Sequence, residues 1–94
     1  MSIVMVGGHD RLHKEYKGIG VKFGHKIKVY TQLPTKFDKI IGTPDVILLL
    51  INTVSHKMVN VAVKEAKRKN IPVIRCHNSS INSVEHSIKN LSES

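Results

Sequence analysis

The sequence predicts an α/β fold, a three-layer Rossmann- or flavodoxin-like domain with a four-stranded parallel sheet in the order 2-1-3-4. Three observations predict it. Short β-prone apolar segments alternate with amphipathic segments along the whole chain. The third strand segment, residues 45–52, holds the unbroken apolar run VILLLI, as a strand covered on both faces does. The second, residues 26–31, alternates charge with apolar residues, as a half-exposed edge strand does.

Each element has its own signal. Residues 2–6 (SIVMV) read as the first strand, ended by Gly7-Gly8. Leu12, Tyr16, Ile19 and Phe23 share one face of a helix over 10–23, which Gly18, Gly20 and Gly24 weaken in its second half. Pro34 breaks the chain after the second strand, and Phe37, Ile40 and Ile41 mark a short helix before Gly42 and Pro44. Residues 55–69 carry the strongest helical pattern, with Met58, Val59, Ala62, Val63 and Ala66 as the buried stripe and lysines opposite. Asn70 stops that helix, and Pro72 opens a fourth strand over 73–76. A last helix runs from Ile81 to about Leu91, behind a cap at Ser79 or Ser80.

At 94 residues the chain is expected to form one domain over 1–94, with a modest aliphatic core, since aromatic residues make up only 4%. The 40% apolar content excludes a disordered chain, and the scarcity of aromatics argues against base-stacking RNA modules. A single cysteine, Cys76, forms no internal disulfide and suits a reducing compartment, so a cytoplasmic location is expected. No signal peptide is visible and no apolar run is long enough to cross a bilayer, so no membrane partner is expected. A formal charge of +8 attracts anions, although solvated helix faces account for much of it.

In a sheet of this order, ligands bind outside the carboxyl ends of the strands at the switch point, here between the first and third strands. The segments reaching that crevice are Gly7-Gly8-His9-Asp10-Arg11, Thr31-Gln32, Asn52-Thr53-Val54-Ser55-His56 and His77-Asn78-Ser79-Ser80. Two chemistries suit them. Helix N-termini, close backbone approach at Gly7 and Gly8, and the hydroxyls of Thr53, Ser55, Ser79 and Ser80 suit a phosphate or carboxylate. His9 and His56, with Cys76 and His77 as weaker donors, suit a transition metal or haem iron, and Arg11 or Arg75 would stand near a propionate or a bound diatomic.

The plainer alternatives are a tight turn at the glycines and simple helix caps at Thr53 and Ser55. The fingerprint G-x-G-x-x-G is missing, because Leu12 stands where its third glycine would be, and no acidic residue closes the second strand. A nicotinamide dinucleotide is therefore not expected. His13, His25 and His86 read as surface residues. Cys76 and His77 are neighbours on a strand and face opposite ways, and Asp10 is the one crevice carboxylate, so no catalytic set is evident.

The segments GGHDRL, TQLPTKFDKIIGTPD, NTVSHKMV and KEAKRKNIPVIRCHNSS resemble the domain-of-unknown-function 2325 family of short bacterial domains, over residues 3 to about 88. That resemblance implies a Rossmann-like fold, marks His9, Arg11, Thr53, Ser55 and His56, and tilts the ligand toward haem. The expected function is a non-catalytic ligand-binding or sensing domain that holds haem or a transition metal. A phosphate- or nucleotide-binding regulatory module is the alternative, and a nucleic-acid-binding protein using the basic stripe of residues 55–69 is the third reading. The exposed edges of a small sheet point to a homodimer.

Overall fold

The computed structural model describes residues 1–93, and side chains through Leu91. Strands β1 (Ser2–Gly7), β2 (Lys26–Tyr30), β3 (Val46–Leu50) and β4 (Val73–Cys76) pair in parallel in the order β2-β1-β3-β4. Helices α1 (His13–Lys22), α2 (Phe37–Ile40) and α3 (His56–Lys69) are the crossovers, and α4 (Ile81–Glu93) follows β4. This is the predicted fold and the predicted strand order.

The pleat divides the core into two layers, because successive strand residues face opposite ways. Ile3, Met5, Leu48 and Leu50 pack with Tyr16, Ile19, Val84 and Ile88 of α1 and α4. Val4, Val6, Ile47 and Leu49 pack with Phe37, Met58, Ala62 and Ala66 of α2 and α3. Both central strands are thus covered on both faces, β1 as well as β3. The register sets Gly7 opposite Leu50 and Leu50 opposite Cys76, so β1, β3 and β4 end level with one another. Their following loops therefore meet at one crest.

Two local departures have physical causes. The segment predicted as one helix begins with a 3-10 turn, Asp10–Leu12, before α1 proper. Gly20 does not weaken α1 as expected; a Cβ there would lie 2.6 Å from Ile27 Cγ1, so the glycine lets the helix lie close on β2. The short helix marked by Phe37, Ile40 and Ile41 is a single turn, α2, which turns Phe37 inward and leaves Ile40 41% exposed, with Ile41 buried just beyond it.

Glu65 was not foreseen as a buried group. It is 7% exposed on α3, accepts a hydrogen bond from Arg68 Nη2 at 2.6 Å, and has Lys69 Nζ 3.6 Å away. The hydrogen bond from Arg68, reinforced by the two cationic charges, outweighs desolvation and holds its carboxyl below the usual glutamate range. A carboxyl whose folded value is depressed stabilises the fold above its unfolded value, and that contribution is lost as pH falls through the folded one. Urea melts repeated from neutral pH into the acid range should therefore show an acid limb that Glu65→Gln flattens. Parallel acid limbs in the two proteins would exclude this role for Glu65. Among the described residues, no helix is long and apolar enough to cross a membrane.

Candidate functional site

The crest is built on two glycines. Gly7 and Gly8 have φ of +100° and +95°, a region side chains avoid. A Cβ on Gly8 would stand 2.8 Å from Tyr16 Cε2 and 3.0 Å from Leu50 Cδ1. The chain thus turns directly over the buried ring of Tyr16. The Tyr16 hydroxyl donates to the Ser79 carbonyl at 2.7 Å and accepts the His9 N–H at 3.3 Å.

A second set of bonds ties the same loops. Gly8 N–H donates to Thr53 Oγ1 at 2.8 Å, the Thr53 and Ser79 hydroxyls are 2.6 Å apart, and Ser79 Oγ lies 2.6 Å from Asn52 Oδ1. Each hydroxyl has one proton to give, so the chain runs from Gly8 to Thr53 to Ser79 to Asn52. On the β2 side, Asp10 accepts from Thr31 Oγ1 and from Gln32 Nε2. The loops after all four strands are consequently fixed by long-range side-chain bonds.

This geometry reassigns several predicted donors. The Gly8 N–H faces Thr53, and Thr53 faces Ser79, which is 1% exposed, so these groups bond one another rather than offering themselves to an anion. Ser55 Oγ caps α3 by accepting the Met58 N–H, and Ser80 Oγ, as one of the two predicted caps, accepts the Ser83 N–H of α4. Gly7 is held by the close approach of Leu50 and Val54.

Of the predicted crest donors, His9, Arg11 and His56 are exposed and, among the described residues, form no side-chain bond. Among the described residues, the His9 and His56 imidazoles have no hydrogen-bond partner. Beside the first turn of α3 opens a groove of about 400 Å³ lined by Leu33, Pro34, Phe37 and Val61 together with the charged Lys36, Asp38 and Lys57. Lys36 holds a left-handed backbone, φ 58°, where it turns the chain into α2.

Arg75, Cys76 and His77 are brought together elsewhere. They line a groove of about 420 Å³ between β4 and α4 that His9 and His56 do not reach. The Cys76 thiol donates to the Asn78 carbonyl at 3.0 Å, and Cys76 is buried. The single predicted crevice is therefore a locked crest with a groove on either side. The groove lysines and the contribution of His86 were not foreseen; Lys57 following His56 directly was the one available signal. Among the described residues, no three His, Cys, Asp or Glu side chains converge as metal ligands.

Comparison with known proteins places the chain. Residues 2–91 match the family described as an uncharacterized protein conserved in bacteria, DUF2325. The chain belongs to that family. No curated protein matches the sequence. The DUF2325 domain is similar to a de novo designed Rossmann-fold protein, at 24% identity and a TM-score of 0.67, over 98% of this chain and 97% of that one. It is also similar to a de novo designed Rossmann 2x2 protein solved by NMR, at 15% identity and a TM-score of 0.67, over 98% of this chain and 86% of that one. At those identities the likeness shows the Rossmann-like fold alone.

Proposed function

We propose that this DUF2325 domain is a non-catalytic ligand-binding or sensing module that holds iron, as haem or as an open-sited transition-metal ion, through His9 and His56. The observation that carries this reading is the pair of unpartnered imidazoles on loops locked by the Gly8, Thr53 and Ser79 bonds. A closed zinc site needs four protein ligands, whereas haem iron asks the protein only for axial ones, because the macrocycle supplies four nitrogens. Two imidazoles without a third donor suit the second case better.

The groove at the start of α3, which Lys57 lines next to His56 in the chain, supports it further. Its apolar walls suit part of a macrocycle, and Lys36 and Lys57, which outnumber the one carboxylate there, Asp38, suit its carboxylates. An open groove of about 400 Å³ leaves much of such a ligand uncovered, which favours a second copy closing over it. The free thiol of Cys76 suits a reducing, cytoplasmic setting. The crest anion reading loses the donors it needed, and nucleic-acid binding retains only the net charge in its favour.

Hemin titration of the purified protein should give a saturable, shifted Soret band. His56→Ala and His9→Ala should each weaken it by about tenfold or more, near 1.4 kcal/mol. Elemental analysis separates the two iron sources: a metal without porphyrin absorbance points to the bare ion. Protein that stays colourless with hemin and carries no stoichiometric metal overturns the proposal.

A further inference from the structure

We propose that the outer edge of β4 is a self-association surface, where two copies pair antiparallel about Ile74 and join their four-stranded sheets into one. The contact lies on the far flank of α3 from the groove given to the iron ligand, and does not rest on that reading.

The backbone sets which residues can pair. The Ile47 and Ile51 N–H groups donate to the Pro72 and Cys76 carbonyls, so the even-numbered residues of β4 face β3. Successive residues alternate, so Val73 and Arg75 direct their N–H and C=O groups outward. Pro72, of the residue type that blocks sheet edges, faces β3 and leaves the outer side open.

Charge then selects the edge and the register. Two copies of a +8 chain repel, so they associate where local charge is low. β2, the other edge strand, is guarded by exposed Lys26 and Lys28. β4 carries one cation, Arg75, after the half-buried Val73 and Ile74. Pairing β4 with β4 also closes at two copies, whereas β4 on β2 would propagate. Outward residues must meet outward residues, which leaves a four-residue strand two near-centred registers. One sets Arg75 directly against the partner's Arg75, and like charges so placed are destabilising. The other sets Arg75 against the partner's Val73, twice over, with Ile74 meeting its own copy on the two-fold axis.

The flanking helices extend the contact. A stable interface takes about 800 Å² from each partner, more than a four-residue edge supplies. Val59 and Val63 stand on the flank of α3 opposite Lys57 and Val61, half-buried in the same layer as Ile71 and Val73. A strand added outside β4 continues that layer, and the two-fold axis brings the same aliphatic strip of the second copy to cover it. On the other face, Ser87 lies 3.6 Å from the Cys76 sulfur, and Ser83 lines the same groove. Side chains this small leave room for a second α4.

The test is sedimentation of the whole protein without hemin over a range of concentrations, joined to cysteine substitutions in β4. A dimer is expected by about 100 μM. Arg75→Pro removes an outward N–H that β3 does not use. It should raise the dissociation constant by about tenfold or more while the circular dichroism of the fold holds. Ile74→Cys should cross-link two chains on mild oxidation, because a non-hydrogen-bonded antiparallel pair sets its Cα atoms about 4.5 Å apart. The parent protein, whose Cys76 is buried, and Val73→Cys should not. Sedimentation as a single chain up to about 1 mM overturns the proposal, as does a dimer indifferent to Arg75→Pro. Cross-linking at Val73→Cys in preference to Ile74→Cys overturns it in favour of another register. A dimer that forms only on adding hemin also overturns it, and assigns the second copy to the groove at the start of α3.

Discussion

Replacing Gly8 with alanine is expected to destabilise the domain by about 2–6 kcal/mol, a sum of two costs. Holding a side-chain-bearing residue at φ +95° costs about 1–3 kcal/mol. The added Cβ, 2.8 Å from Tyr16 Cε2 and 3.0 Å from Leu50 Cδ1, overpacks a layer in which both partners are fully buried, for about 1–3 kcal/mol more. A chain of 94 residues has a total stability of about 5–14 kcal/mol, so this one methyl group removes a large share of it.

Gly18→Ala is the matched control. Nothing lies within 4 Å of a Cβ there and the position is inside α1, so it should stabilise by about 0.5–1 kcal/mol. Urea melts of the two variants separate a glycine required by the fold from one kept for ligand approach. If Gly8→Ala melts with the parent protein yet loses its ligand, the turn is a ligand cradle and the packing argument is wrong.

That contrast also shows where sequence reading reached its limit. The strands were legible because VILLL admits no exposed face and KIKVY alternates, and the order followed from which strand was covered and which was not. The stripe of α3 was legible for the same periodic reason. The crest was legible in composition but not in direction. Gly, Ser, Thr, Asn and His are the residue types that bind anions and also those that lock loops, and only the fold decides between the two uses. Thr53 meets Gly8 across 45 positions and Ser79 across 26, so no local pattern carries those bonds.

His86 is a parallel case. Its place on the polar face of α4 correctly implies exposure, but only the packing of α4 against β4 brings it to the groove that Cys76 also lines. Designed Rossmann proteins share the scaffold at a TM-score of 0.67, so the sheet and its helices say nothing of function. Function resides in what stands on the crest and beside it.

Tyr16 is where scaffold and crest join, and its two truncations should part company. Tyr16→Ala removes a fully buried ring, for about 3–5 kcal/mol, and leaves the Ser79 carbonyl and the His9 N–H without their partner. The total approaches or exceeds the stability of a domain this size, so a non-cooperative or absent thermal transition is expected. Tyr16→Phe keeps the ring and loses only the hydroxyl, for about 1–3 kcal/mol.

The second variant is the more informative, because it loosens the loop carrying His9 without emptying the core. Amide exchange at Gly8 and His9 should quicken, and hemin affinity should fall although Tyr16 does not touch the proposed ligand, since a mobile imidazole must be ordered on binding. Should Tyr16→Phe keep both the exchange rates and the hemin affinity of the parent, the bonds from Tyr16 would not be what positions His9. The imidazole pair would then owe its placement to the Gly8–Thr53–Ser79 chain alone, which Thr53→Val would test next by the same two measurements.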